Sequence, residues 1–196
     1  FTAKANTYLL DTQYRMRASL AGFSSSWFYR QELKTAEGLA DTGTHLIFID
    51  TAGTGFEEEW GPDGSSLKNT GEMEILQRLL NQEDPIQNRK AFISPYAGQV
   101  ELAKTMLPSG MRIATIDSFQ GQEEQEIYLS LVRSNASGQI GFLTDYRRMN
   151  VAMTRAKEKL VVIGDSATLG NDPFYKAFLN YVEQHGAYQS AWEWMS

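Results

Sequence analysis

The chain has 196 residues, of which 18 are Lys or Arg and 24 are Asp or Glu, so its formal net charge is −6. Hydrophobic residues make up 42% of the sequence, which supplies the core of one domain and excludes a disordered or fibrous protein. The absence of cysteine excludes disulfides and thiolate metal sites, and the two histidines lie far apart, so we predict no metal site. The acidic balance argues against a nucleic-acid binder on net charge alone.

The apolar runs are only long enough for strands and fall far short of the roughly 20 residues that a membrane helix needs. The chain begins at Phe1, and the residues that follow have no signal-peptide pattern. We therefore expect a piece of a longer, cytoplasmic protein that has no membrane partner.

Strands and helices alternate along the sequence. The first clear strand spans 45–50, and a helix at 72–81 follows, with Asn69 as its predicted N-cap. Ser94 and Pro95 are placed to open the helix after the next strand. The predicted elements are strands at 45–50, 90–94, 112–116, 126–132 and 159–164, and helices at 72–81, 95–107, 145–157 and 173–185.

This alternation with short connections is typical of a doubly wound α/β fold, in which ligands bind at the carboxyl ends of the strands. We predict one domain over 1–196. Residues 51–70, rich in glycine and containing three consecutive glutamates, are expected to form a mobile surface loop whose charges are solvated. Residues 187–196 are expected to form a tail.

Three motifs have residues suited to nucleotide chemistry. The first is Gln13-Tyr14-Arg15-Met16, in which the tyrosine offers a ring for stacking and the arginine a bidentate grip on phosphate. Alone it fits equally a core tyrosine beside a surface arginine. The second motif, residues 114–123, places Thr115, Ser118 and Gly121 just after a strand, where backbone and hydroxyl groups approach a phosphate or sugar. Its alternative is an ordinary strand-end turn, because it lacks the lysine of a phosphate loop.

The third motif spans 145–157. Helical spacing places Arg148 and Arg155 within about 20° of each other on one flank of a packed apolar stripe. Few acidic residues accompany this basic run, so we predict an uncompensated positive edge that binds an anion. Both arginines become candidate nucleotide contacts.

In this order the three motifs resemble motifs IV, V and VI of superfamily I helicases, and most closely the 5′-to-3′ subgroup that includes the nonsense-mediated-decay helicase. The resemblance runs from about residue 10 to residue 181 and includes segments 93–96 and 141–143. It implies a RecA-like, P-loop NTPase-type three-layer sandwich with a mostly parallel sheet, and specifically the carboxy-terminal motor domain. In that family two such domains clamp ATP with Mg²⁺ and move on single-stranded DNA or RNA.

Carried over by motif position, Arg155 resembles the arginine finger and Arg15 a second γ-phosphate arginine. Tyr14 resembles the residue that stacks on adenine, with Gln13 beside it, and Glu123 the acid that reaches the ribose, while Gly121 lets the backbone approach. Positions that resemble contacts to the sugar-phosphate strand are Pro95, Tyr96, Thr115 and Ser118.

The sequence also departs from a complete helicase motor. It contains no phosphate loop ending in Gly-Lys-Ser/Thr and no strand that ends in an acidic pair, so the Mg²⁺ ligands are expected in a missing first RecA-like domain. Gln122 stands where some relatives carry a basic residue.

Two alternatives remain open: a binding or scaffold module derived from a helicase that has lost motor activity, and a metal-dependent nuclease, which would need carboxylates clustered on strands.

Overall fold

The computed structural model describes residues 11–83 and 89–195. Six parallel strands form its central sheet in the order β10-β3-β9-β8-β6-β7. Their bounds are β3 Leu46–Asp50, β6 Lys90–Ser94, β7 Arg112–Thr115, β8 Glu124–Ser130, β9 Ala156–Gly164 and β10 Ala187–Ser190. The predicted parallel α/β fold is confirmed. The start of the resemblance, at residue 10, lies outside the described residues.

Helices cover both faces of the sheet because alternate residues of each buried strand point to opposite sides. Phe48 of β3 packs into the core cluster that holds the apolar residues of α1, α4 and α6, whereas Ile49 packs with those of α2 and α3. The helices are α1 Ala18–Phe28, α2 Thr70–Gln82, α3 Ala97–Met106, α4 Tyr146–Met153, α5 Ser166–Leu169 and α6 Pro173–His185. Asn69 caps α2 as predicted, because its side chain accepts from the Glu72 N–H at 3.1 Å.

The connection after β3 contains an antiparallel pair, β4 Glu59–Trp60 with β5 Leu67–Lys68. A separate short parallel pair, β1 Thr12–Gln13 with β2 Lys34–Thr35, frames the first motif. The interpretation of the three glutamates as solvated charges is wrong for Glu58, whose carboxylate accepts from Arg133 Nε at 2.8 Å and is only 15% exposed. The mobility of this connection stays a prediction.

The third motif is not one helix, and here the prediction from periodicity is wrong. Helix α4 ends at Met153, the Thr154 hydroxyl donates to the Asn150 carbonyl at 2.8 Å, and β9 begins at Ala156. Ala156 pairs with Glu124 of β8, so sheet pairing overrides the helical pattern in the last turn. Arg148 lies on α4, whereas Arg155 lies in the turn that leads into β9.

Three other boundaries differ from expectation. Strand β8 ends at Ser130, two residues early, and Val132 beyond it adopts a φ of 70°. Helix α3 has Tyr96 as N-cap, while the Ser94 hydroxyl accepts from the Tyr96 N–H. The predicted tail contains β10, which pairs with β3 and completes one side of the sheet, followed by a helical turn at Ala191–Trp194.

No helix in the described parts of the chain has the length and apolar character to cross a membrane.

Candidate nucleotide and nucleic-acid sites

The predicted site residues fall at two opposite edges of the sheet. Residues 116–123 run from the carboxyl end of β7 to the amino end of β8, and α4 with its following turn runs alongside them. Asp117 contacts Arg148 near the carboxyl edge, and the Gln122 carbonyl accepts from Arg155 Nη1 at 3.4 Å near the amino edge. Arg15, Glu123 and Arg155, which were predicted to contact nucleotide, lie where β8 and β9 begin, at the amino ends of these strands and not at the carboxyl ends that the fold class favours.

Four charged side chains meet at the amino edge, and we call Arg15, Glu123, Arg155 and Lys157 the amino-edge cluster. Arg15 Nε lies 2.5 Å from Glu123 Oε2, and Lys157 Nζ contacts the other carboxylate oxygen. The hydrogen bond from Lys157 and the charge of Arg15 hold the pKa of Glu123 below its ordinary value. The sequence analysis gave Lys157 no role in the site. Lys157 follows Arg155, the predicted arginine finger, by two residues and lies at the start of β9.

Arg155 is held differently from the other cations of the cluster. Its Nε donates to the Val151 carbonyl at 3.0 Å, and among the described residues no carboxylate lies within 4.0 Å of its guanidinium. Burial, together with the positive charge of Arg15, lowers the pKa of Arg155 from its ordinary value. A partly desolvated cation of this kind, beside a second one, is an environment that favours a bound anion.

The first motif is a tight turn that Gln13 holds in place. The Gln13 side-chain oxygen accepts from the backbone N–H groups of Arg15 and Met16, and its amide donates to the Met16 carbonyl and to Thr35 Oγ1. Both donors and both acceptor positions of the amide are thus engaged within the chain. The turn presents the Tyr14 ring to solvent at 79% exposure, which leaves it free to stack, whereas Gln13 positions the turn.

Gly121 lies between the two edges with a φ of 80°, in the region that favours glycine. A Cβ added at this residue would meet no atom within 4 Å, so its backbone is open to an approaching ligand. The neighbouring Gln122 side-chain oxygen is buried without a hydrogen-bond partner.

The prediction of an uncompensated positive edge shared by Arg148 and Arg155 is wrong. Arg148 makes a bidentate pair with Asp117, with Nε to Oδ1 at 3.0 Å and Nη2 to Oδ2 at 2.5 Å. Arg148 lies near the start of α4, whereas Arg155 follows the end of this helix. The ion pair between Arg148 and Asp117 joins the third motif to the second, as a residue that positions the motifs would. The compensating acid belongs to the second motif, so inspection of the third motif alone could not reveal it.

At the carboxyl edge, Thr115 and Ser118 form a hydroxyl pair with their oxygens 2.9 Å apart, and Ser118 is exposed. Pro95 and Tyr96 belong to the same edge, but both are buried, and Tyr96 is only 3% exposed. Their predicted side-chain contacts to a strand are therefore not available in this conformation. The exposed aromatic beside them is Phe142, at 65%, which the sequence analysis did not single out.

His, Cys, Asp and Glu side chains are the residues that would hold a metal ion. In the described residues no three His, Cys, Asp or Glu side chains group together as a metal site would require. His45 Nδ1 lies 2.6 Å from the Glu158 carbonyl, as expected of a structural histidine. The nuclease alternative has no carboxylate cluster to support it in this part of the chain.

The parallel sheet flanked by helices has the RecA-like fold, and Arg15, Glu123 and Arg155 bring all three motifs together at its amino edge. A family model described as an AAA domain matches residues 2–167. The chain therefore belongs to this AAA domain family, and the resemblance to superfamily I helicases of the nonsense-mediated-decay subgroup is confirmed.

Among curated proteins, the chain is 34% identical to the hamster (Mesocricetus auratus) "DNA-binding protein SMUBP-2", with 95% of the chain and 21% of that protein covered. It is 31% identical to an Arabidopsis thaliana "Regulator of nonsense transcripts 1 homolog", with 90% of the chain and 16% of that protein covered. The chain thus spans about a fifth of the length of such relatives. The fold is similar to a crystal structure titled as the C-terminal domain of a possible DNA helicase from Lactobacillus plantarum, with a TM-score of 0.56, 10% identity, and 91% and 99% of the two chains covered.

Proposed function

We propose that this chain is the second motor domain of an ATP-dependent helicase or translocase that moves on single-stranded DNA or RNA. The observation that carries the proposal is the amino-edge cluster, in which Arg15 and Arg155 lie together beside the exposed ring of Tyr14. Family membership supports a motor domain. The geometry of the cluster supports a domain that has kept its ATP-binding residues, in contrast to the inactive binding module.

The residues at the amino edge fit a nucleoside triphosphate. Arg155 has no carboxylate partner among the described residues, so its guanidinium is available to phosphate oxygens, and Tyr14 offers an open ring to adenine. ATP supplies the phosphoryl group whose transfer to water drives movement. Arg155 and Arg15 would stabilise the negative charge that develops on that group, and Glu123 would hold the ribose.

Glu123 and Arg15 already form an ion pair in this chain, and that pair sets a condition on nucleotide binding. Arg15 must exchange the Glu123 carboxylate for phosphate oxygens, while Lys157 keeps its contact with Glu123. The side chains of Arg15 and Glu123 are 42% and 36% exposed, so the pair is worth about 1 kcal/mol or less and the exchange is feasible.

The proposed partner within the same protein is a first RecA-like domain that carries the phosphate loop and the Mg²⁺ ligands. The present sequence supplies neither, which supports the expectation that the 196-residue chain alone does not hydrolyse ATP. At the carboxyl edge, the hydroxyls of Thr115 and Ser118 are suited to sugar-phosphate oxygens of a strand that crosses both domains. Pro95 and Tyr96 would reach that strand only after a local rearrangement.

The test is the ATPase activity of the longer protein with Arg155→Ala, measured with saturating single-stranded DNA or RNA. We expect a fall of about 10³-fold in kcat, because an arginine finger supplies transition-state stabilisation of that size. Arg78→Ala is the matched control, since Arg78 lies on α2, which packs on the opposite face of the sheet, and donates from Nη1 to the Trp194 carbonyl at 2.6 Å. Unchanged hydrolysis in Arg155→Ala would refute the proposed role, and absent hydrolysis in the unaltered protein would favour the inactive binding module.

A further inference from the structure

Phe142 is a large apolar side chain that the fold holds in solvent. It is 65% exposed and lies on the helical turn Gly141–Thr144. Its ring centroid is 5.6 Å from that of the buried Tyr96, with 34° between the ring planes. One part of the ring is therefore supported by protein, and most of its surface is open.

The turn that carries Phe142 is fixed from beneath. Leu143 is fully buried and anchors the turn in the core. Gly141 has a φ of 55° and packs so closely on Arg133 that any side chain there would overlap the guanidinium. Arg133 is held in turn by Glu58, at 2.8 Å. The contacts of Leu143, Gly141 and Arg133 thus hold the turn in the position that exposes Phe142.

The position of this ring relates it to the carboxyl edge. Tyr96 follows Ser94 by two residues, and Ser94 lies in register with Thr115 on the neighbouring strand. The Ile116 N–H also donates to the Ser94 carbonyl, at 3.2 Å. Phe142, through its contact with Tyr96 after β6, and the hydroxyl pair of Thr115 with Ser118 after β7 therefore lie at the same edge of the sheet.

We propose that Phe142 is a stacking platform for a base of single-stranded nucleic acid, an inference that rests on the proposed function. An exposed aromatic ring binds any base through its π face, while nearby hydroxyls engage the backbone, so the contact is tolerant of sequence. Its apolar neighbours Tyr96 and Leu143 are buried and add no exposed apolar surface around the ring. A single ring suits a base better than it suits a protein partner, which would need a broader apolar surface.

The experiment measures binding of the 196-residue chain to a fluorescein-labelled dT oligonucleotide by anisotropy at low salt, with Phe142→Ala, Phe142→Leu and Phe142→Trp. We expect a loss of about 5- to 150-fold in affinity for the Ala and Leu variants, the range measured for one stacked base, and retention for Trp. Phe142→Leu keeps an apolar side chain without an aromatic face. Trp192→Ala is the control, because Trp192 is similarly exposed, at 56%, but follows β10 at the opposite side of the sheet.

A second strand of the same length, with abasic sites in place of the bases, isolates stacking from backbone contacts. The unaltered chain should bind this strand more weakly, and Phe142→Ala should bind it as the unaltered chain does. Equal affinity of Phe142→Ala and the unaltered chain for the dT strand would overturn the inference and leave the proposed function intact. A loss that is equal on both strands would also overturn it. No binding of any strand by the unaltered chain would count against the proposed function itself.

Discussion

Replacement of Glu123 by Gln should strengthen the binding of polyphosphate to the amino-edge cluster. The substitution keeps the size of the side chain but removes the charge that Arg15 and Lys157 both engage. Two cations then face an incoming anion without internal compensation, and the like charge at Glu123 no longer repels it.

The size of the effect follows from the exposure of the cluster, where the three side chains are between 34% and 42% exposed. Unit charges 4 Å apart interact by about 1 kcal/mol in water and about 4 kcal/mol at an effective dielectric of 20, and a half-exposed site lies toward the water end. We therefore expect a gain of about 1 to 2 kcal/mol, or about 5- to 30-fold in affinity. The cost to folding should stay below about 2 kcal/mol, since two exposed ion pairs are lost.

The assay is calorimetric titration of the chain with inorganic tripolyphosphate, and then with ATP, at low ionic strength. Glu101→Gln is the control, because Glu101 pairs with Lys104 on the exposed side of α3, away from the amino-edge cluster. The gain should shrink as salt is added, and it should be smaller for ATP than for tripolyphosphate if Glu123 also contacts the ribose. Affinity for tripolyphosphate that is unchanged or lower in Glu123→Gln would refute the view that Glu123 competes with phosphate for Arg15.

Two further predictions concern the buried Glu72 and the ion pair between Asp117 and Arg148. Burial raises the pKa of Glu72 from 4.5 to about 8. Between these two pH values the folded chain keeps a proton that the unfolded chain loses. The free energy of unfolding should therefore fall by on the order of 5 kcal/mol as pH rises from 4.5 to about 8. Glu72→Gln should remove most of this slope in urea unfolding at pH 5, 6.5 and 8, and an unchanged slope would contradict it. Asp117→Arg and Arg148→Asp should each lower the nucleic-acid stimulation of ATP hydrolysis in the longer protein, and their combination should restore part of it. A double variant no better than the weaker single one would argue against a positioning role.

The sheet could be predicted from sequence because its strands are short apolar runs rich in β-branched residues, such as residues 46–50 and 160–163, and this length and composition are typical of a strand buried on both faces. The end of α4 could not, because Ala156 fits a helical stripe as well as a strand and only its pairing with Glu124 decides between them. Strand β10 was missed for the same kind of reason, since its four residues, Ala187 to Ser190, are stabilised by β3 and have no pattern of their own.

The motifs predicted candidate site residues, but not the side chains that pair with them. The Asp117 side chain lies 31 residues from Arg148 in sequence, and Glu58 lies 75 residues from Arg133. Local spacing gives no information about pairs at such separations, because they depend on how loops return to the sheet. Lys157 was counted in the basic run of the third motif but was given no role in the site, because the helical interpretation of residues 145–157 paired Arg155 with Arg148.

The formal charge of −6 overstates the negative field at the two edges. Many acidic side chains are engaged by donors of the same chain: Glu58 by Arg133, Asp117 by Arg148, and Glu83 by two lysines and a tyrosine. Arg155, by contrast, has no carboxylate partner among the residues described. Because an ion pair projects little field beyond its immediate surroundings, the net charge does not describe the local field at each edge. We therefore expect anion binding at the amino edge to depend on Arg155 and the cations beside it, and not on the net charge of the chain.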